Sequence, residues 1–168
     1  MKDRAKDIQP SQLVVPSQKH LLSVLFVDDD PVDRHRIITF CKKTGLNFKA
    51  EEAVDLAQMA AALDRYQFDL VFLDYHLGVE TGLEALALVK SHGRQKNAIP
   101  IMVTSVGEHD IIVEAMRSGC ADYLIKDELS AESIRKSVTM AIERSVLLAA
   151  ISSEHSTRAA LAETVDRF

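Results

Sequence analysis

Five residues of this sequence belong together chemically: Asp28, Asp29, Asp74, Thr104 and Lys126. Carboxylates that converge without a counter-ion repel one another and raise one another's pKa. A divalent cation relieves that repulsion. An all-oxygen donor set with few carboxylates suits Mg²⁺, which keeps several of its waters. An ammonium opposite the carboxylates and a hydroxyl beside them complete a charge balance that fits a phosphoryl group, whose transfer is catalysed by positioning and neutralisation. An aspartate can itself be the nucleophile and form an acyl phosphate. Asp74, which follows the apolar run Leu70-Val71-Phe72-Leu73, is the candidate. Taken singly the residues say little. Asp28 and Asp29 read as solvated loop residues, Asp30 before Pro31 as a helix cap, and one Thr or Lys at a strand end as almost nothing. The set carries the argument.

The elements that must position these side chains follow from apolar periodicity and breakers. Leu22 to Val27 is a continuous run of β-forming residues, suited to a buried parallel strand. Asp30 caps a helix with Pro31 at its first position, Ile37, Ile38 and Cys41 as its apolar stripe, and Gly45 at its end. Phe48 to Val54 reads as a partly charged edge strand. Asp55 with Gln58 opens a second helix through Leu56, Met59, Ala60 and Leu63. Leu70 to Leu73 is the central strand, Leu83 to His92 a helix, Ile99 to Val103 a fourth strand, and Glu108 to Ser118 a helix closed by Gly119. Ala121 to Ile125 is a fifth strand, and Ser130 caps a long last helix. Strands alternating with helices predict a doubly wound α/β fold with a five-stranded parallel sheet. In such sheets the working groups gather beyond the carboxyl ends of the strands. There the five residues fall: Asp28 and Asp29 after the first strand, Asp74 after the third, Thr104 ending the fourth and Lys126 after the fifth.

Composition narrows the function class. The chain has 168 residues, 47% of them apolar, 5% aromatic and no Trp, so a core of Leu, Ile, Val, Ala and Met is expected. A net charge of −5 without a basic run speaks against nucleic acid as a partner. Cys41 and Cys120 stand apart, among apolar neighbours and without metal-ligand spacing, and read as buried thiols. Neither a signal peptide nor a membrane span is read, so a cytoplasmic location is expected.

At the quoted residues the chain resembles the receiver domain of two-component response regulators, over roughly Leu21 to Arg144. Four fragments carry the resemblance, in order and at matching intervals. They are Leu25-Phe26-Val27-Asp28-Asp29-Asp30-Pro31; Asp69 to Asp74 with Gly82 at the family's offset; Ile101-Met102-Val103-Thr104-Ser105; and Gly119 to Lys126. The resemblance implies a flavodoxin-like strand order 2-1-3-4-5. It makes Asp74 the phosphoacceptor, receiving its group from a phosphohistidine on a histidine kinase or phosphotransfer protein. It makes Asp28, Asp29 and Asp74 the Mg²⁺ ligands, helped by the backbone carbonyl of His76. Lys126 pairs with the phosphoryl group, Thr104 hydrogen-bonds it, and Tyr123 matches the aromatic switch position. The chain departs from the family where Asp127 replaces the Pro that usually follows Lys126, and where Tyr75-His76-Leu77-Gly78 lacks the common Pro. His76 either tunes hydrolysis of the acyl phosphate or simply faces solvent.

The expected organisation is a flexible arm over 1–20, a receiver domain over 21–144 and a helical extension over 145–168. The extension carries Leu147, Leu148 and Ile151 past the receiver's end, where Ser152, Ser153 and Ser156 are candidate helix breakers. A stand-alone switch or relay with an unnamed downstream protein is expected, without enzymatic turnover beyond slow autodephosphorylation, and with a homodimer through the last helix. The competing readings are an aspartyl phosphatase resembling haloacid dehalogenases and a receiver-like module that no longer uses phosphate. The first usually carries a second Asp where this chain has His76, and a cap domain that is not read here.

Overall fold

The computed structural model describes residues 21–105 and 108–166, with side chains described to residue 151. The arm expected over 1–20 lies outside the described residues.

The chain runs β1 (Leu22–Val27), α1 (Pro31–Lys43), β2 (Phe48–Ala53), α2 (Leu56–Arg65), β3 (Leu70–Asp74), β4 (His76–Leu77), β5 (Glu80–Thr81) and α3 (Gly82–Ser91). It continues through β6 (Ile99–Thr104), α4 (His109–Arg117), β7 (Asp122–Ile125), a 3₁₀ turn (Lys126–Glu128) and α5 (Ala131–Asp166). Five strands form one parallel sheet in the order β2-β1-β3-β6-β7, so the sheet strands follow 2-1-3-4-5 along the chain. The order reverses between β1 and β3, whose register pairs Val24 with Leu70 and Val27 with Leu73. Beyond that pair the chain leaves the sheet, and the crevice of an open α/β fold lies there.

Both faces of the sheet are covered, which explains the continuous apolar runs. Leu25, Val27, Val71, Leu73 and Met102 point to one side, against Met59 and Leu63 of α2, Ala85, Leu86 and Val89 of α3 and Ala115 of α4. Val24, Phe26, Phe72, Ile101 and Val103 point to the other, against Ile37, Ile38 and Cys41 of α1 and Ile134, Val138 and Ala141 of α5. Phe26 and Phe72 stack across neighbouring strands at 5.2 Å. Burial pushes the Cys41 thiol up to about 12 and the Cys120 thiol up to about 11, so both are inert core groups.

Local chemistry sets the helix starts. The Asp30 side chain accepts from the amides of Val32 and Asp33. Asp55 accepts from Gln58 N–H at 2.8 Å, and the Gln58 side chain reaches back to Val54 N–H at 3.1 Å. Thr81 and Glu84 form a reciprocal capping box at α3. One feature differs from the expectation. The stretch after Asp74 forms a short hairpin, β4 with β5, turning at Gly78 with φ of 72°, a backbone region that favours glycine. The expected extended last helix is present: α5 runs for 36 residues, and the candidate breakers Ser152, Ser153 and Ser156 do not interrupt it. A serine inside a helix costs less than about 1 kcal/mol relative to alanine, too little to stop it without a Gly or Pro.

Candidate functional site

Asp28 sits immediately beyond β1, where its amide still bonds Ala53 O at 3.0 Å, and its carboxylate is buried. Asp30 N–H donates to Asp28 Oδ1 at 2.9 Å. Asp28 Oδ2 is buried without a hydrogen-bond partner, and Lys126 Nζ stands 3.6 Å from it, in ion-pair range only. Asp74 ends β3 and is buried as well. Its Oδ2 accepts from Lys126 Nζ at 3.0 Å and its Oδ1 from His76 N–H at 3.4 Å. Asp29 is exposed and brings one carboxylate oxygen to the same point. Ligand atoms of Asp28, Asp29 and Asp74 all lie within 4.8 Å of one another.

The electrostatics follow from burial. Burial raises the Asp28 carboxyl to about 7, with the neighbouring Asp74 adding to the rise and the Asp30 amide and Lys126 opposing it. Asp74 is also raised, again by burial, against the pull of Lys126. For Lys126, burial disfavours the charge, but hydrogen bonds to Asp33 and Asp74 outweigh it and the ammonium titrates above its ordinary range. Asp28 and Asp74 are thus two crowded carboxylates that bind a proton more tightly than free ones, and a cation would replace that proton. The donor set fits a divalent ion. It is all oxygen, it includes an orphaned buried carboxylate oxygen, and its open side is the exposed Asp29.

Thr104 is fully buried at the end of β6. Its hydroxyl donates to Glu108 Oε2 or to Ser105 O, each at 2.9 Å, rather than toward Asp74. His76 opens β4, and its Nε2 is 2.6 Å from Glu108 Oε1. Tyr123 lies on β7 beside Met102 of β6, with 39% of its surface exposed. Asp127 is exposed in the 3₁₀ turn and takes no part in the ion pairs described here.

Three residues of the site went unread in the sequence. Asp33 accepts from Lys126 Nζ at 2.9 Å and so aims it. Arg34 donates to the Asp28 carbonyl at 2.8 Å while pairing Glu52 at 2.7 Å, which ties the loop after β1 to β2. Glu108 engages Thr104. Asp33 and Arg34 sit in the first turn of a helix, where charged residues read as solvated or as dipole partners. Their spacing from Asp28, on the turn that follows the acidic pair, was the available signal.

The model of the response regulator receiver domain matches residues 24–139. The chain belongs to the response regulator receiver domain family. This receiver domain is 28% identical over 123 residues to the chemotaxis protein CheY of Pseudomonas aeruginosa, covering 73% of this chain and 98% of that protein. It is 33% identical over 103 residues to the alginate biosynthesis transcriptional regulatory protein AlgB of Pseudomonas putida. That match covers 61% of this chain and 22% of AlgB, so the chain aligns with about a fifth of that relative's length. Among solved structures, NtrX from Brucella abortus superposes with a TM-score of 0.68 at 25% identity, covering 79% of this chain and 29% of the other. Receiver domains are phosphoacceptor switches of two-component signalling and typically bind Mg²⁺ at acidic residues. Here Asp28, Asp29 and Asp74 form an acidic cluster beyond the carboxyl ends of β1 and β3.

Proposed function

We propose that this receiver domain works as a switch or relay, taking a phosphoryl group onto Asp74 from a phosphohistidine of a histidine kinase or phosphotransfer protein. The observation that carries the reading is the placement of Asp74: buried, at the carboxyl end of the central strand, with Lys126 Nζ on one oxygen and two further aspartates within ligand distance. A carboxylate oxygen of Asp74 forms the new P–O bond as the donor's P–N bond breaks, and the donor imidazole leaves with the electron pair. Lys126, aimed by Asp33, neutralises charge on the phosphoryl oxygens. Asp28, Asp29, Asp74 and the backbone carbonyl of His76 would hold Mg²⁺, which when bound supplies positive charge to both the carboxylates and the phosphoryl oxygens. Thr104 then donates its hydroxyl to the phosphoryl group and Tyr123 responds, altering the face formed by α4, β7 and α5.

In this reading residues 21–144 form the receiver domain and 145–168 a helical extension. The receiver acts in the cytoplasm, signals through another protein and dimerises through α5. Turnover is limited to slow autodephosphorylation. Incubation with phosphorylated histidine phosphotransfer proteins of the source organism tests the reading. It predicts rapid transfer, a linkage labile to hydroxylamine, and reduction of the modified residue at position 74 by borohydride. A hydroxylamine-stable adduct, or label at another residue, would overturn it.

A further inference from the structure

Thr104 has one hydroxyl hydrogen, and among the described residues the acceptors it reaches, Glu108 Oε2 and Ser105 O, lie outside the Asp74 site. Glu108 is itself held. Ser105 N–H donates to its Oε2 at 3.3 Å, and its Oε1 is 2.6 Å from His76 Nε2. An ionised carboxylate only accepts, so the imidazole must donate through Nε2–H. The His76 ring is in turn set edge-on against Tyr75, at 4.9 Å and 83°. Glu108 also occupies the N-cap position of α4, yet its side chain makes no capping bond to the helix. Its side chain turns back to Thr104 instead. One carboxylate therefore bridges the chain just after Asp74 to the chain just after β6, at the threshold of α4.

We infer that Glu108 is a positioning residue that holds the Thr104 hydroxyl in its resting orientation, and that phosphorylation at Asp74 proceeds to the switched state only as this hold is released. The inference rests on the reading above, in which Thr104 donates to the phosphoryl group. A single hydrogen cannot serve Glu108 and a phosphoryl oxygen together. A phosphoryl group on Asp74 also adds about −1.5 to −2 charges near the latch, and like charges drive Glu108 away. Because Glu108 begins α4, its release frees the start of that helix from the loop after Asp74. The latch thus opposes the switched state, and a ligand shifts such an equilibrium only by its differential contacts with the two states.

The test is a thermodynamic cycle on the full chain, with beryllofluoride plus Mg²⁺ as the probe and the Thr104 methyl followed by NMR. Glu108→Ala is expected to move the Thr104 methyl resonance before any probe is added, and to tighten probe binding by roughly three- to tenfold, the worth of one hydrogen bond. Glu108→Gln keeps the volume and an acceptor oxygen, and should tighten binding less. In a Thr104→Ala background, Glu108→Ala should tighten binding clearly less than in the wild-type background, since only the relief of charge repulsion is left to gain. An equal gain in both backgrounds would mean simple charge removal and would overturn the positioning role, as would an unmoved methyl resonance. If the wild-type chain does not bind the probe at all, the phosphoacceptor reading fails and this inference fails with it. If the wild type binds and the cycle shows no coupling, only the latch fails.

Discussion

At the scale of single residues, Asp28 and Asp74 dominate the energetics, because both are buried carboxylates and they share one ammonium. The folded-state pKa of Asp28, about 7, lies above its ordinary 3.8, so between those values the folded chain holds more protons than the unfolded chain. Stability rises with pH only where the unfolded state binds more protons. The contribution of Asp28 to metal-free stability is therefore present below about pH 4 and is lost as pH rises through about 7. Asp28→Asn removes that loss. Thermal melts in chelator should show the variant more stable than wild type at pH 8, on the order of 2–4 kcal/mol at most, with the gap closing toward pH 4. Added Mg²⁺ should stabilise the wild type and do little for the variant. Parallel pH profiles for the two proteins would contradict the assignment of Asp28. The acidic cluster was legible as a set, because Asp28, Asp29 and Asp74 follow two apolar strand runs whose carboxyl ends an α/β sheet brings together, although Asp28 and Asp29 taken singly read as loop residues. Asp33, Arg34 and Glu108 were not, because a charged residue at the start of a helix looks the same whether it meets water or a partner from a distant loop.

At the scale of elements, the site depends on how closely α3 approaches the end of β3. Gly82 opens α3 and donates its amide to Tyr75 O at 2.7 Å. A Cβ there would stand 2.7 Å from Asp74 O, 2.7 Å from Met102 Sδ and 2.8 Å from Tyr75 Cα. Two of these neighbours are backbone and cannot yield cheaply. Gly82→Ala should cost about 1–3 kcal/mol by overpacking, and should weaken Mg²⁺ binding because the displaced peptide is that of Asp74. Gly93→Ala is the control, since a Cβ there meets nothing within 4 Å. Equal melts and equal Mg²⁺ affinities for the two variants would sink this account of the α3 contact. The strands, the helices and the caps at Asp30, Asp55 and Ser130 were readable from period and capping chemistry. The hairpin of β4 and β5 was not, because two-residue strands carry no period and their pairing is fixed by the turn at Gly78. The extension of α5 was readable from the apolar residues that continue past residue 144, and its serines do not interrupt it because serine weakens a helix without ending it.

At the scale of the whole molecule, the parallel sheet, its order and its two covered faces followed from alternating apolar runs together with the family resemblance. What no pattern decides is what α5 does beyond the sheet. Val146, Leu147, Leu148 and Ile151 are 65%, 62%, 56% and 45% exposed on it. Apolar surface of this extent calls for cover. A homodimer through α5 predicts that light scattering finds the full chain heavier than a version ending at Ala149, across a broad concentration range. Equal monomer masses would rule the extension out as the dimerising element. Switching should register on a different face. Beryllofluoride with Mg²⁺ is expected to shift amides of α4, β7 and the first turns of α5, including Tyr123. Shifts confined to the loops around Asp74 would argue against that output surface.

The central claim is that Asp74 accepts the phosphoryl group, and intact-mass spectrometry after incubation with acetyl phosphate and Mg²⁺ tests it most directly. The account predicts a single phosphoryl increment on the wild-type chain, lost when Mg²⁺ is chelated and absent from Asp74→Asn. An undiminished increment on Asp74→Asn would contradict it.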